Sequence, residues 1–273
     1  MLWVKKLIFG GIAIYLSALV FVYFAQRSFI YFPPAEPIPD WSVNEHDEQV
    51  LVINLGGIGD IKSIYGAPPN DTSPVILFIH GNGSAAHQYT VHFEAFKRWG
   101  IGYLAVEFPG YAGNPGTPNE RNILNTSLAN YDALIDMGIT SERIIIYGDS
   151  LGAAAAIHVA SQRSAAGLIL SAPFLSMQAM AHKQMPWFPT SILLKDKYRS
   201  DLKMPSITEP LLLLHGDADE LIPHAQGEAL YGLHQGDPAK GDKQFILIKG
   251  GHHHLWNTEM PTHIKAAIER FTQ

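Results

Sequence analysis

The five residues Gly148-Asp149-Ser150-Leu151-Gly152 follow the β-branched run RIIIY and precede the alanine-rich stretch LGAAAAIHVASQ. A serine in a sharp strand-to-helix turn is lifted clear of the sheet edge, and glycines two places to either side let strand and helix approach. The Leu151 backbone N–H, at the head of the helix, could then point at a developing oxyanion. A glycine-rich helix start with Ser150 as a simple N-cap would use the same residues without chemistry. Nucleophilic use needs a base and a group to orient it. The segment HGDADELIP, residues 215–223, closes the run PLLLL and offers Asp217 and Asp219. The segment GGHHHLW, residues 250–256, follows KQFILIK and offers His252, His253 and His254.

For these groups to meet, each must stand at the same edge of one sheet. The pattern from Pro74 predicts this. Short apolar runs begin at Pro74, Gly100, Arg143, Gly167, Pro210 and Lys243. Stretches of helical period, among them Ser84–Trp99, Asn119–Met137, Leu151–Gln162 and Thr258–Phe271, alternate with them. This βαβα rhythm predicts an α/β fold, a mostly parallel sheet with helices on both faces. Ser150, the acid loop and the histidine loop all follow strands, so all fall at the carboxyl edge, where open α/β sheets place their sites. Upstream, QVLVINL and DIKSIYG alternate in polarity and suit antiparallel strands at one side.

The chain has 273 residues, 47% hydrophobic and 16% charged, with net charge −6 and no cysteine. The absence of cysteine removes disulfides, thiol nucleophiles and Cys–zinc sites. No basic block suggests nucleic acid. Thirteen histidines raise the question of a metal, but three consecutive loop residues rarely ligate one ion, so no metal is expected. Gly57-Ile58-Gly59 lacks the third glycine and following helix of a dinucleotide site, and Gly110–Gly116 lacks the Gly-Lys-Ser/Thr of a phosphate loop, so no cofactor is expected either.

Leu7–Phe24 is an uncharged run long enough, at ~1.5 Å per residue, to cross most of a bilayer's hydrocarbon. Lys5 and Lys6 precede it, Arg27 follows, and aromatic residues cluster from Tyr23 to Phe32. A signal peptidase cut after Ala25 would put Tyr23 at a position that wants a small residue. The expectation is therefore an uncleaved signal-anchor over residues 1–32. A proline-rich linker follows over residues 33–45 and a catalytic domain over 46–273, on the non-cytoplasmic side by the lysine excess. A chain beginning near Pro34 is expected to be soluble and active.

The motifs together resemble the α/β-hydrolase superfamily, and more narrowly its membrane-anchored, short-cap members. The resemblance is carried by FIHGNGSA (78–85), EFPGYAGNPGTPNE (107–120), YGDSLGAA (147–154), LLKDKYRS (193–200) and the acid and histidine loops. It implies a serine hydrolase in which Ser150 is the nucleophile and Asp219, rather than Asp217, the acid. It makes His252 the base and the backbone N–H groups of Asn82 and Leu151 the oxyanion donors. Glu107-Phe108-Pro109 departs from the family's Asp-Tyr-Arg, and His253-His254 from its Asn-Asp.

A cap of about residues 175–209 is rich in methionine and aromatic side chains, which suit an acyl chain as well as simple packing. The expected substrate is a small-molecule or lipid ester, cleaved through an acyl-enzyme. Thioesters and peptides use the same triad, and a non-catalytic anchored binding module would keep the fold without the reaction.

Overall fold

A computed structural model describes residues 2–35, 40–41 and 48–273. Pro37 and Pro39 of the expected linker lie outside the described residues. The apolar runs form six parallel strands: β3 (Val75–Ile79), β4 (Gly102–Val106), β5 (Ile144–Asp149), β6 (Gly167–Ser171), β7 (Leu211–Gly216) and β8 (Lys243–Ile248). Two alternating strands, β1 (Glu48–Leu55) and β2 (Gly59–Gly66), add to one side, giving the order β1-β2-β4-β3-β5-β6-β7-β8. β1–β2 and β2–β4 are antiparallel; every later pair is parallel.

Successive side chains of a strand point to opposite faces. On β3, Val75, Leu77 and Ile79 enter one apolar layer with α3 (Glu120–Asp136), α4 (Leu151–Ala160) and α8 (His224–Leu233). Ile76 and Phe78 enter the other, with α2 (Thr90–Arg98) and α9 (Met260–Phe271). Both faces are covered, which is why the central strands read as continuous apolar runs rather than alternating ones. Between β6 and β7 the cap carries α5 (Met177–Gln184) and the single turns α6 (Thr190–Leu193) and α7 (Ser200–Lys203).

The N-terminal helix α1 (Leu2–Ile30) is apolar and exposed over its first half. Its second half is docked. Gln26 takes the Lys195 N–H at 2.7 Å and donates to the Leu193 carbonyl at 3.2 Å. Arg27 pairs through two nitrogens with Asp196, and the hydroxyls of Tyr31 and Tyr198 meet at 3.0 Å in the interior. The expectation that the first residues are a removable tether does not fit these contacts: α1 is packed on the cap.

Candidate active site

Ser150 occupies the turn between β5 and α4 with φ 53° and ψ −112°, a region rare for a residue with a side chain. The turn needs both glycines. A Cβ on Gly152 would stand 2.1 Å from the Ile79 carbonyl oxygen, and one on Gly148 2.4 Å from the Gly152 carbonyl oxygen. The Ser150 N–H is secured by the Ser171 carbonyl at 2.9 Å, so the neighbouring strand holds the strained residue in place.

Asp219 is the carboxylate that reaches the histidine loop. Its Oδ1 accepts from the N–H groups of Leu221 and Ile222 at 2.9 and 2.8 Å. Its Oδ2 lies 2.9 Å from a histidine Nδ1, and that histidine is His253. The His253 Nε2 lies 3.1 Å from Ser150 Oγ. A carboxylate can only accept, so Nδ1 carries the proton and Nε2 is left to accept from the serine hydroxyl. Asp217 does something else: its Oδ1 takes the Gly250 N–H at 2.6 Å and pins the histidine loop from outside.

His252, the residue the resemblance implied, is exposed and is not the one that meets Ser150. The loop backbone explains the shift. Gly250 turns at φ 69°, and the Gly251 carbonyl accepts the Ala218 N–H at 2.9 Å. The Gly251 and His252 carbonyls also lie so close to Gly216 that a Cβ there would sit 2.1 and 2.6 Å from them. The main chain through residues 251–252 is thus pressed against the acid loop. The His252 ring is left in solvent, and the ring of the next residue enters the site. His254 is exposed as well.

Charge is arranged to suit a proton acceptor. Burial pulls the His253 pKa down, but the hydrogen bond that His253 donates to Asp219 and the charges of Asp149 and Asp219 outweigh it, leaving His253 above the ordinary histidine value. Burial would raise Asp219, yet the His253 and Ile222 hydrogen bonds and the nearby histidines hold it below the usual carboxylate range. Asp149 is itself held by the Tyr89 hydroxyl at 3.1 Å, and Tyr89 in turn accepts the Gly81 N–H at 3.2 Å.

The residues of the two expected oxyanion donors line one cavity with the serine. Leu151 is the first residue of α4, whose opening N–H groups have no intrahelical acceptor. Asn82 sits on the loop after β3, and neither its N–H nor that of Leu151 donates to an acceptor among the described residues. Below that loop, buried His80 bonds Glu107 Oε1 at 2.8 Å, and Glu107 Oε2 takes the Ala86 N–H at 2.8 Å. Glu107, at the departure from the family pattern, is therefore the brace of the loop. The Asn82 side chain has a separate task. Its Oδ1 accepts from Phe32 N–H and Tyr111 hydroxyl, and its Nδ2 donates to the Ile30 carbonyl. Among the described residues, no group of three His, Asp or Glu side chains could hold a metal ion.

Comparison with known proteins agrees with this fold. Residues 70–199 match the family described as Serine aminopeptidase, S33. An uncharacterized protein of Mycobacterium tuberculosis, Rv2307c, is 29% identical over 239 residues, covering 87% of this chain and 83% of its own. The alpha/beta hydrolase domain-containing protein aho-3 of Caenorhabditis elegans is 30% identical over 57% of this chain and 46% of its own. Among solved structures, the Pyrococcus furiosus esterase Pf2001 superposes with TM-score 0.70 at 17% identity, over 88% of this chain and all of its own (100%). A monoacylglycerol lipase from Paleococcus ferrophilus superposes with TM-score 0.57 at 20% identity, over 73% and 95%.

The chain has the α/β-hydrolase fold and is a hydrolase enzyme.

In this hydrolase a cavity of about 220 Å³ opens above Ser150. Its polar lining is confined to Gln26, Asn82, Ser150 and Gln184; the rest is apolar, including Met177, Met180, Met185 and Phe188 of the cap. A dry cavity of ~150 Å³ already holds a benzene ring, so this one has room for an alkyl group of some length. The hydrolase uses α1 as one wall: Val22, Gln26, Phe29 and Ile30 all face the cavity. That wall, the Asn82 side-chain tie and the choice of His253 are the parts that sequence reasoning missed. The polar pair Gln26-Arg27, at the end of an otherwise apolar helix, was the available signal for docking.

Proposed function

We propose that the hydrolase cleaves carboxylic esters with an apolar acyl group, through a covalent acyl-enzyme on Ser150, with His253 as base and Asp219 as its orienting acid. The observation that carries this reading is the pair of contacts at His253, 3.1 Å to Ser150 Oγ and 2.9 Å to Asp219 Oδ2. Ser150 Oγ attacks the ester carbonyl carbon while its proton passes to His253 Nε2. The carbonyl oxygen takes the negative charge beside the N–H groups of Asn82 and Leu151. Collapse breaks the C–O bond, and His253 returns the proton to the leaving alkoxide. Water, deprotonated by the same imidazole, then releases the acid and frees Ser150.

The description of the matched family favours a second reading, hydrolysis of a peptide from its amino end. A free α-ammonium in this cavity would be desolvated, and no carboxylate is among the cavity's lining residues to pair with it. The apolar lining supports an acyl ester instead. The esterase and lipase named among the structural neighbours are in keeping with that choice.

The same proposal takes Leu7–Phe24 of α1 as a single-pass anchor with residues 46–273 as the hydrolase domain on the non-cytoplasmic side. Support comes from a helix long and apolar enough to cross a membrane, with 6% of its most apolar window buried. The deciding experiment is labelling with a fluorophosphonate. Wild type should be labelled and Ser150→Ala should not; equal labelling of both would refute the assignment. A carbonate wash reads the anchor separately: the protein should stay in the membrane pellet.

A further inference from the structure

The cap segment 185–194, MPWFPTSILL, carries no charge and is flanked by Lys183 and Lys195. Trp187 and Ile192 project from it, 46% and 78% exposed. Exposed apolar side chains of this size usually mark a contact surface when they cluster. The position of this cluster identifies the partner. Tyr15 donates its hydroxyl to the Trp187 carbonyl at 3.1 Å, and Tyr15 lies midway along the apolar run of α1. From the level of Phe24 to that of Tyr15 is about 13 Å along a helix, most of the ~15 Å of hydrocarbon in one leaflet. If α1 crosses a bilayer, the cap segment beside it lies in the same leaflet.

Most of the backbone of the segment suits that environment, the N–H groups of Trp187 and Ser191 being the two that donate to no acceptor among the described residues. Irregular chain in hydrocarbon requires its polar groups to be satisfied internally. Pro186 and Pro189 have no N–H. Those of Met185, Phe188, Thr190, Ile192, Leu193 and Leu194 all donate to carbonyls of the cap itself. The Lys195 ammonium lies 4.1 Å from the Tyr23 ring centroid, near the end of the apolar run, where a lysine at a membrane interface belongs. The cavity above Ser150 is bounded by these same two elements, Val22 and Phe29 of α1 facing Met185 and Phe188 of the cap.

We infer that α1 and the cap segment 185–194 form a portal within the leaflet, through which the acyl chain of a membrane-dissolved ester passes directly to Ser150. In this role α1 is part of the acyl site as well as the anchor. The inference rests on the anchored ester hydrolase proposed above.

The test uses the full-length protein reconstituted in phosphatidylcholine vesicles, with a long-chain monoacylglycerol in the bilayer and p-nitrophenyl butyrate in the water. Trp187 and Ile192 do not line the cavity, so Trp187→Asp and Ile192→Asp should leave butyrate turnover within about twofold. They should lower monoacylglycerol turnover at least tenfold. Bromine on the lipid acyl chains should quench wild-type tryptophan fluorescence more than that of Trp187→Phe. Val22→Trp, on the anchor helix, should shift the preferred acyl length shorter. Wild-type butyrate turnover with both aspartate variants unaffected on monoacylglycerol, or no quenching difference, would overturn the portal alone. Lack of butyrate turnover in wild type would overturn the hydrolase reading, and release by carbonate the anchor reading; either takes the portal with it.

Discussion

The side-chain amide of Asn82 donates to the Ile30 carbonyl at 2.7 Å, so the loop after β3 is tied to the last turn of the N-terminal helix. The same side chain receives the Phe32 N–H, and its backbone N–H is the proposed oxyanion donor. Asn82→Ala keeps that backbone donor but leaves the Ile30 carbonyl, the Phe32 N–H and the Tyr111 hydroxyl without their partner. The expected cost is about 1–3 kcal/mol of stability, read as a fall in Tm of about 2–4 °C per kcal/mol for a domain of this size. A loosened donor should also lower kcat, by about 10–100-fold. A variant with wild-type Tm and kcat would show that the tie does not position the loop.

The contact of His253 with both Ser150 and Asp219 separates it from its neighbours. His253→Ala should reduce kcat by about 10⁴-fold or more, as should Ser150→Ala, leaving the residual rate that an oxyanion site alone provides. His252→Ala and His254→Ala, which alter exposed rings, should cost about tenfold or less. Asp219→Asn should approach the His253→Ala loss by favouring the wrong imidazole tautomer, while Asp217→Asn loosens only the Gly250 contact. Steady-state kinetics on one soluble ester decides among them. Loss in His252→Ala with survival in His253→Ala would move the base back by one residue.

Most of the fold was legible because it depends on pattern. The apolar runs that form β3 to β7 are buried on both faces, and the QVLVINL and DIKSIYG stretches, which alternate, pair antiparallel at the side. Ser150 was legible because only glycine fits at positions 148 and 152 of such a turn. Asp219 was legible through the resemblance. The histidine was not, because three identical residues in a row carry no information on which one faces inward. That choice is made by the Gly251 and His252 carbonyls packing on Gly216, a contact between loops far apart in sequence. The docking of α1 was hidden for a similar reason: an apolar helix reads as a membrane span whether or not one side of its end also packs on protein.

The base must be neutral to accept the serine proton, so activity should fall as pH drops through the His253 pKa. Burial opposes the charged ring, but the Asp219 bond and the Asp149 and Asp219 charges raise it above the ordinary value of about 6.5. The acid limb of the kcat/KM profile should therefore centre above that value. Asp149→Asn removes one of the raising charges while still offering the Tyr89 hydroxyl an acceptor. Its limb should move to lower pH, whatever happens to the plateau. A limb that stays put would mean that Asp149 does not act on the base.

The last prediction concerns removal of the N-terminal helix. A chain beginning at Pro34 would lose Arg27, and Asp196, whose side chain is 4% exposed, would lose the cation it pairs with. It would lose Tyr31, the partner of the Tyr198 hydroxyl, and Gln26, which satisfies the Lys195 N–H and the Leu193 carbonyl. The wall of the cavity made by Val22, Phe29 and Ile30 would go with them, opening apolar side chains to water. Each orphaned buried group costs about 1–3 kcal/mol, and several together are a large part of the 5–15 kcal/mol that holds a domain folded. The shortened chain should therefore be poorly soluble, lower in Tm than full-length protein in detergent, and severely impaired even on a water-soluble ester. Arg27→Ala in the full chain gives a milder form of the same defect, a Tm loss with the cavity wall intact. A soluble shortened chain with wild-type kcat/KM and Tm would show that α1 is only a tether and that its contacts with the cap contribute nothing to the site.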